Sequence, residues 1–303
     1  MEADEINAAV VTGNYDRMQD ILAKYGYGEI VEEESSNRYG KLELGTENFD
    51  LYDGDASLGD DYPEMGALFE DGDGDGEADI NNYDIVLINC GATEQHIASK
   101  TTGHMNHSRF VKTHSANLSK AQISVIQNFI EGGGMLYATD CAYDYAEQAY
   151  PSYVDFLGSD ATPADDSEMH NAAQQGDGGI TVDAEIPDNG LQGWLASASV
   201  TCGDENCLNS DETVFVQDFL SNWAVIDEVN TEAGTKVWIE GTVSWAEGSG
   251  VKPLTISYPV AIPNSKDDDD IGRVVYSSYH TIESEFSPGF RPQERILQYL
   301  VEG

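Results

Sequence analysis

Apolar residues along the chain come in short runs, some continuous and some at helical spacing, separated by polar stretches rich in Asp, Gly and Asn. Asn7-Ala-Ala-Val-Val-Thr12 has the pattern of a buried strand and breaks at Gly13-Asn14. Met18, Ile21, Leu22 and Tyr25 then share one helix face, which stops at Gly26. Residues 48–52 predict a second strand, and residues 53–82, crowded with Asp and Gly, an acidic loop insertion. Asp84-Ile-Val-Leu-Ile-Asn89 is a continuous apolar run of the kind a parallel sheet covers on both faces. Ser119 and Gln122 have capping-box spacing, with Leu118 and Ile123 placed as a hydrophobic staple. That helix runs through Ile126 and Ile130 to Gly132-Gly133-Gly134, and residues 135–139 follow as a strand. The order βα, β, βα, β predicts an α/β fold with a doubly wound, mainly parallel sheet of flavodoxin-like type.

The second half reads differently. Residues 223–226, 236–240, 242–245 and 254–258 predict strands joined by Gly- and Asn-bearing turns. They form an expected antiparallel meander over about 220–262, attached to the main sheet within one domain spanning residues 1–303. Residues 273–278 are the last strand, and Pro292 opens a closing helix with Ile296, Leu297, Leu300 and Val301 on one face.

Charge narrows the function classes. Against 14 Lys+Arg stand 56 Asp+Glu, a formal net charge of −42 over 303 residues. Such a chain repels nucleic acid and anionic membrane, so cations are its natural partners. No apolar run is long enough to insert directly into a membrane, and the start Met1-Glu-Ala-Asp-Glu5 resembles neither a signal nor a transit peptide. Cys202 and Cys207 in a short polar loop are read either as a disulfide, which would imply an oxidising extracellular or periplasmic location, or as two free thiols. The scarcity of lysine also fits the cytoplasm of a salt-adapted organism.

Three groups of residues carry candidate chemistry. Asp71, Asp73, Asp75 and Asp79 alternate around Gly72, Gly74 and Gly76 in the pattern of a calcium loop, with Asn82 where a bidentate Glu would complete it. The alternative is an acidic, Gly-rich linker. His96, His104, His107 and His114 follow the strand at 84–89, and the spacing of His104 and His107 permits a shared transition metal; the alternative is an exposed polar loop whose histidines are solvated or hydrogen-bonded individually. Asp140 and His280 are expected at the same sheet edge, where open α/β sheets bind small-molecule or protein partners. The run Lys266-Asp-Asp-Asp-Asp270 reads as a solvated turn or a second calcium contact.

The segments Asn89-Cys-Gly-Ala92, Phe129 to Tyr145 (FIEGGGMLYATDCAYDY) and Gly272 to His280 (GRVVYSSYH) together resemble the class I glutamine amidotransferase-like superfold. The likeness is greatest to its trehalose-utilisation-like branch and related exported bacterial proteins. The resemblance implies a Cys nucleophile at a strand-to-helix elbow and a late His followed by Glu. Here these are Cys141, His280 as base and Glu283 as orienting carboxylate. The family's flanking elbow glycines are absent, and Asp140 and Asp144 stand where that branch carries His and Asp. Cys141 is therefore read three ways: nucleophile, structural thiol or part of a binding site. Two functions follow, an acidic calcium-binding surface or assembly module without catalysis, and a hydrolase acting on a sugar-like or amide substrate through Cys141 and His280 or a His/Asp metal site.

Overall fold

The computed structural model describes residues 7–92, 118–158, 173–217, 219, 223–261, 271–281 and 289–302. Its main sheet begins with β1 (Ala8–Val11), β2 (Asp50–Tyr52), β3 (Ile85–Ile88) and β4 (Met135–Thr139). Between β4 and the closing strands lie β5 (Val154–Phe156), β6 (Val182–Ala184), β7 (Thr201–Cys202), β8 (Glu205–Asn206), β9 (Val214–Val216) and β10 (Ile226–Val229). The sheet is completed by β11 (Lys236–Trp245), β12 (Gly248–Ala261) and β13 (Ile271–Ser277), in the order β11-β12-β13-β4-β3-β1-β2. Contacts from β2 through β13 are parallel, whereas β12 and β11 join antiparallel. The parallel part has the strand order of a flavodoxin-like sheet, with the reversal of winding between β1 and β3.

Alternation along the strands splits the core into two layers. Val10, Leu87, Tyr137 and Val275 face one layer, closed by α1 (Met18–Leu22), α4 (Asn189–Leu195) and α5 (Pro292–Glu302). Val11, Val86, Leu136, Ala138 and Tyr276 face the other, closed by α2 (Lys120–Glu131) and α3 (Tyr143–Glu147). The capping box forms as expected: Ser119 Oγ accepts from Gln122 N–H at 3.2 Å, and Gln122 Oε1 accepts from Ser119 N–H at 2.8 Å. The first helix passes into a π turn over Ala23–Tyr27 and reverses at Gly26, whose φ is +101°.

Two expectations in the second half need correction. Residues 236–240 and 242–245 are one strand, not two, because Gly241 is no turn. A Cβ there would lie 2.4 Å from Val182 Cγ1, so glycine lets β11 pass flat against β6. The segment at 223–226 is not part of the meander. Its strand, β10, pairs with β5 in a separate ribbon, while Trp223 is wholly buried in the core.

Several of the few cations are held against protein groups. Lys24 Nζ lies 2.6 Å from Glu294, with both side chains almost fully buried, and so ties the π turn after α1 to α5. Lys236 stacks 3.5 Å above the Trp238 ring, Lys252 lies over Trp245, and Arg295 lies 3.8 Å above Phe290. Arg273 donates to the carbonyl of Leu300.

Candidate functional site

Because β3, β4 and β13 are adjacent and parallel, the residues that follow them emerge side by side at one sheet edge. They are Cys90 after β3, Asp140 and Cys141 after β4, and Ser278 to Thr281 after β13. His280 Nε2 lies 2.8 Å from Asp140 Oδ2, and both side chains are all but excluded from solvent. The sulfur of Cys90 joins them: one donor atom from each of Cys90, Asp140 and His280 lies within 4.8 Å of the other two. Asp140 and His280 are thus brought together as the sequence predicts. Cys90 holds the equivalent position directly beyond a buried parallel strand, a placement that its sequence context alone does not distinguish from a structural thiol.

The turn out of β4 is strained at Asp140. Its φ is +45°, a left-handed value that is costly for an L residue and among the more accessible ones for Asp. Thr139 before it is extended, and Cys141 after it lies inside a short 3₁₀ turn over Asp140–Ala142. The left-handed residue of this turn is therefore Asp140, and Cys141, which the resemblance makes the nucleophile, lies one residue beyond it. The thiol of Cys141 lies 3.5 Å from Asp140 Oδ1. Hydrogen bonding with Cys90 lowers its pKa, but burial and the neighbouring Asp140 carboxylate outweigh that and push it up to about 11. Burial also pushes the Cys90 thiol well up. An activated nucleophile would show the opposite shift.

Hydrogen bonds from all sides fix the site. Tyr276 O–H donates to the Asp140 carbonyl at 2.9 Å, and Thr139 Oγ1 accepts the Cys90 N–H at 3.0 Å. Buried Asp16 accepts both the N–H (3.2 Å) and the hydroxyl (2.8 Å) of Thr281, anchoring the residue next to His280. Asn89 accepts the Met18 N–H at 2.8 Å and donates to the Val11 carbonyl at 2.8 Å, joining β1, β3 and α1 at the switch of winding. Gly13 is required here, since a Cβ would stand 2.2 Å from the Cys90 carbonyl oxygen. Tyr15 N–H donates to that same oxygen at 3.1 Å, and the Tyr15 side chain is 41% exposed, so it borders the site on the solvent side.

The acidic loop lies at the other end of the sheet, on the segment that enters β3. Donor oxygens of Asp71, Asp73 and Asp75 lie within 4.8 Å of one another. Asp71 accepts the N–H groups of Gly74 and Gly76, while Asp79 accepts that of Gly72 and Asn82 Nδ2 reaches Asp73 at 3.4 Å. A cleft of about 750 Å³ between this loop and the C-terminal end of α2 is lined by Glu77, Asn81, Asn128 and Glu131, far from the Asp140–His280 contact along the strands. Cys202 and Cys207 form a disulfide, and no helix among the described residues is long and apolar enough to cross a membrane. His96, His104, His107, His114, Glu283 and the run at 266–270 lie outside the described residues.

No family model matches the chain, and no curated protein does. Among solved structures it is similar to PurLQS from Thermotoga maritima, at 9% identity and TM-score 0.44 over 98% of both chains. It is also similar to a ThuA-like protein from Bacteroides uniformis, at 9% identity and TM-score 0.45 over 99% of this chain and 91% of that one. A third likeness is to the glutaminase domain of Trypanosoma brucei CTPS, at 11% identity and TM-score 0.42 over 98% and 94%. The fold class itself rests on the observed strand order.

Proposed function

We propose that this chain is an amidotransferase-like α/β protein without glutaminase chemistry, which binds a ligand or partner at the strand C-terminal edge around Asp140 and His280. The observation that carries this reading is the register of the elbow. The left-handed residue after β4 is Asp140, with its carboxylate against His280, and Cys141 is displaced by one position and buried. Glutamine hydrolysis needs a thiolate at the elbow with a base beside it. The test is ammonia release from glutamine by the intact protein and by Cys141→Ser. The expected result is none from either; release that Cys141→Ser abolishes would overturn the reading.

The same proposal gives the acidic loop a structural calcium ion held by Asp71, Asp73, Asp75 and Asp79, which would offset repulsion among carboxylates that approach one another closely. An ion at about 100 times its Kd stabilises the folded state by about 2.7 kcal/mol. Calcium should therefore raise Tm, and Asp73→Asn/Asp75→Asn should remove the effect. An unchanged Tm in the intact protein would remove calcium from the account. The disulfide supports an oxidising, exported setting.

A further inference from the structure

We infer that Cys90, Asp140 and His280 form a binding site for a thiophilic divalent cation, with zinc as the ion of best fit. The inference rests on the reading that Asp140 holds the elbow, and gives that site its ligand.

The donors are one sulfur, one imidazole nitrogen and one carboxylate oxygen, the three kinds zinc accepts together. They come from three adjacent strands and lie within 4.8 Å of one another. Bonds of about 2.0–2.3 Å in a tetrahedron put neighbouring donors about 3.3–3.8 Å apart, so the three need only small adjustments to share one ion. Three protein donors leave a fourth position for an outside ligand, as in sites where the ion binds or polarises one. Hard ions fit badly, because calcium and magnesium take oxygen donors and a thiolate is soft.

A second observation is independent of the donor set. The left-handed backbone at Asp140 is what an L residue avoids unless its surroundings impose it. Tyr276 holds that turn through the Asp140 carbonyl, and Asp16 holds His280 through its neighbour Thr281. Both bonds act on the backbone that carries these ligands, and so fix where their side chains start, as the supporting shell of a metal site must. A hydrophobic core filling the same space would need neither the strain nor the anchors. The acidic loop lies at the opposite sheet edge and offers oxygen donors only.

The test uses the full chain, stripped with chelator and reloaded with zinc or cobalt. X-ray absorption at the zinc edge of the unmutated protein should show one sulfur at about 2.3 Å with nitrogen and oxygen donors at about 2.0–2.1 Å. The cobalt form should show a thiolate charge-transfer band, which Cys90→Ser removes and Cys141→Ser keeps. Tyr276→Phe should weaken zinc binding about 10-fold while leaving the band in place. An edge spectrum with oxygen donors only, or with two sulfurs, would overturn the assignment without relying on any variant folding. So would a cobalt band insensitive to Cys90→Ser in a variant with native circular dichroism. If no zinc binds and glutamine is not hydrolysed, the metal falls and the reading of the elbow stands. Hydrolysis dependent on Cys141 would remove both.

Discussion

Asp140 and Cys141 can be told apart as the elbow residue by exchanging each for glycine and for alanine. At position 140 both exchanges delete the carboxylate, so the difference between them isolates the backbone. An L residue at a left-handed φ costs about 1–2 kcal/mol that glycine escapes, so Asp140→Gly should be more stable than Asp140→Ala by about that amount. At position 141 the backbone lies within a 3₁₀ turn, and the order should invert, with Cys141→Ala above Cys141→Gly by about 0.5–1 kcal/mol. Urea unfolding in the presence of chelator measures all four variants without a bound ion contributing, and the comparison needs only midpoint shifts at constant slope. At this chain length 1 kcal/mol corresponds to about 2 °C in Tm, which gives a second readout. If alanine were the better residue at 140 and glycine at 141, the nucleophile position would belong to Cys141. The argument against glutaminase chemistry would then fail.

Other outcomes follow from the same structure. Lys24→Met should destabilise the protein by about 3–5 kcal/mol, because it strands the buried Glu294 carboxylate, and Lys24→Met/Glu294→Leu should recover most of that loss in a denaturant titration. Burial raises the Glu294 pKa, so the folded state holds that proton more tightly than the unfolded chain; its contribution favours folding at low pH and is lost as pH rises through the raised value. Removing Lys24 should steepen this loss, as unfolding curves across pH would show. Cys141 should alkylate slowly at neutral pH in the native protein and quickly in denaturant, as followed by mass spectrometry. Replacing Cys202 and Cys207 by Ser should cost at most about 2 kcal/mol, since the loop they close is short; a larger loss of stability would mean the disulfide supports more than its own turn.

The parallel half of the fold was legible because its strands are continuous apolar runs and its second helix carries its own start and stop signals. The later strands were less so. Gly241 looks like a turn residue in sequence, and only its approach to Val182 explains why the strand runs through it. β6 and β9 are three-residue segments that acquire strand geometry by pairing with each other, which no local pattern announces. The site was half legible. The rule that ligands gather beyond strand C-termini selects Asp140 and His280, and it selects Cys90 equally well. What the family pattern obscured was the register. It directs attention to the cysteine, whereas the backbone turns at the aspartate, a residue type that tolerates left-handed geometry better.

The engagement of the scarce basic side chains changes how the molecule meets its solvent. Lys24 is sealed against Glu294, while Lys236, Lys252, Arg273 and Arg295 are held against rings, carboxylates or a carbonyl. The exterior is left close to a polyanion, and its neutralising charge has to be borrowed from dissolved ions. Ionic strength then acts in an inverted sense. Added salt thins the repulsion between surface carboxylates over a Debye length of about 10 Å at 0.1 M, yet barely reaches the sealed Lys24–Glu294 contact. The surrounding counter-ion cloud then contributes to the stability of the folded state, and lowering the salt concentration should lower Tm, as a thermal melt across ionic strengths would show.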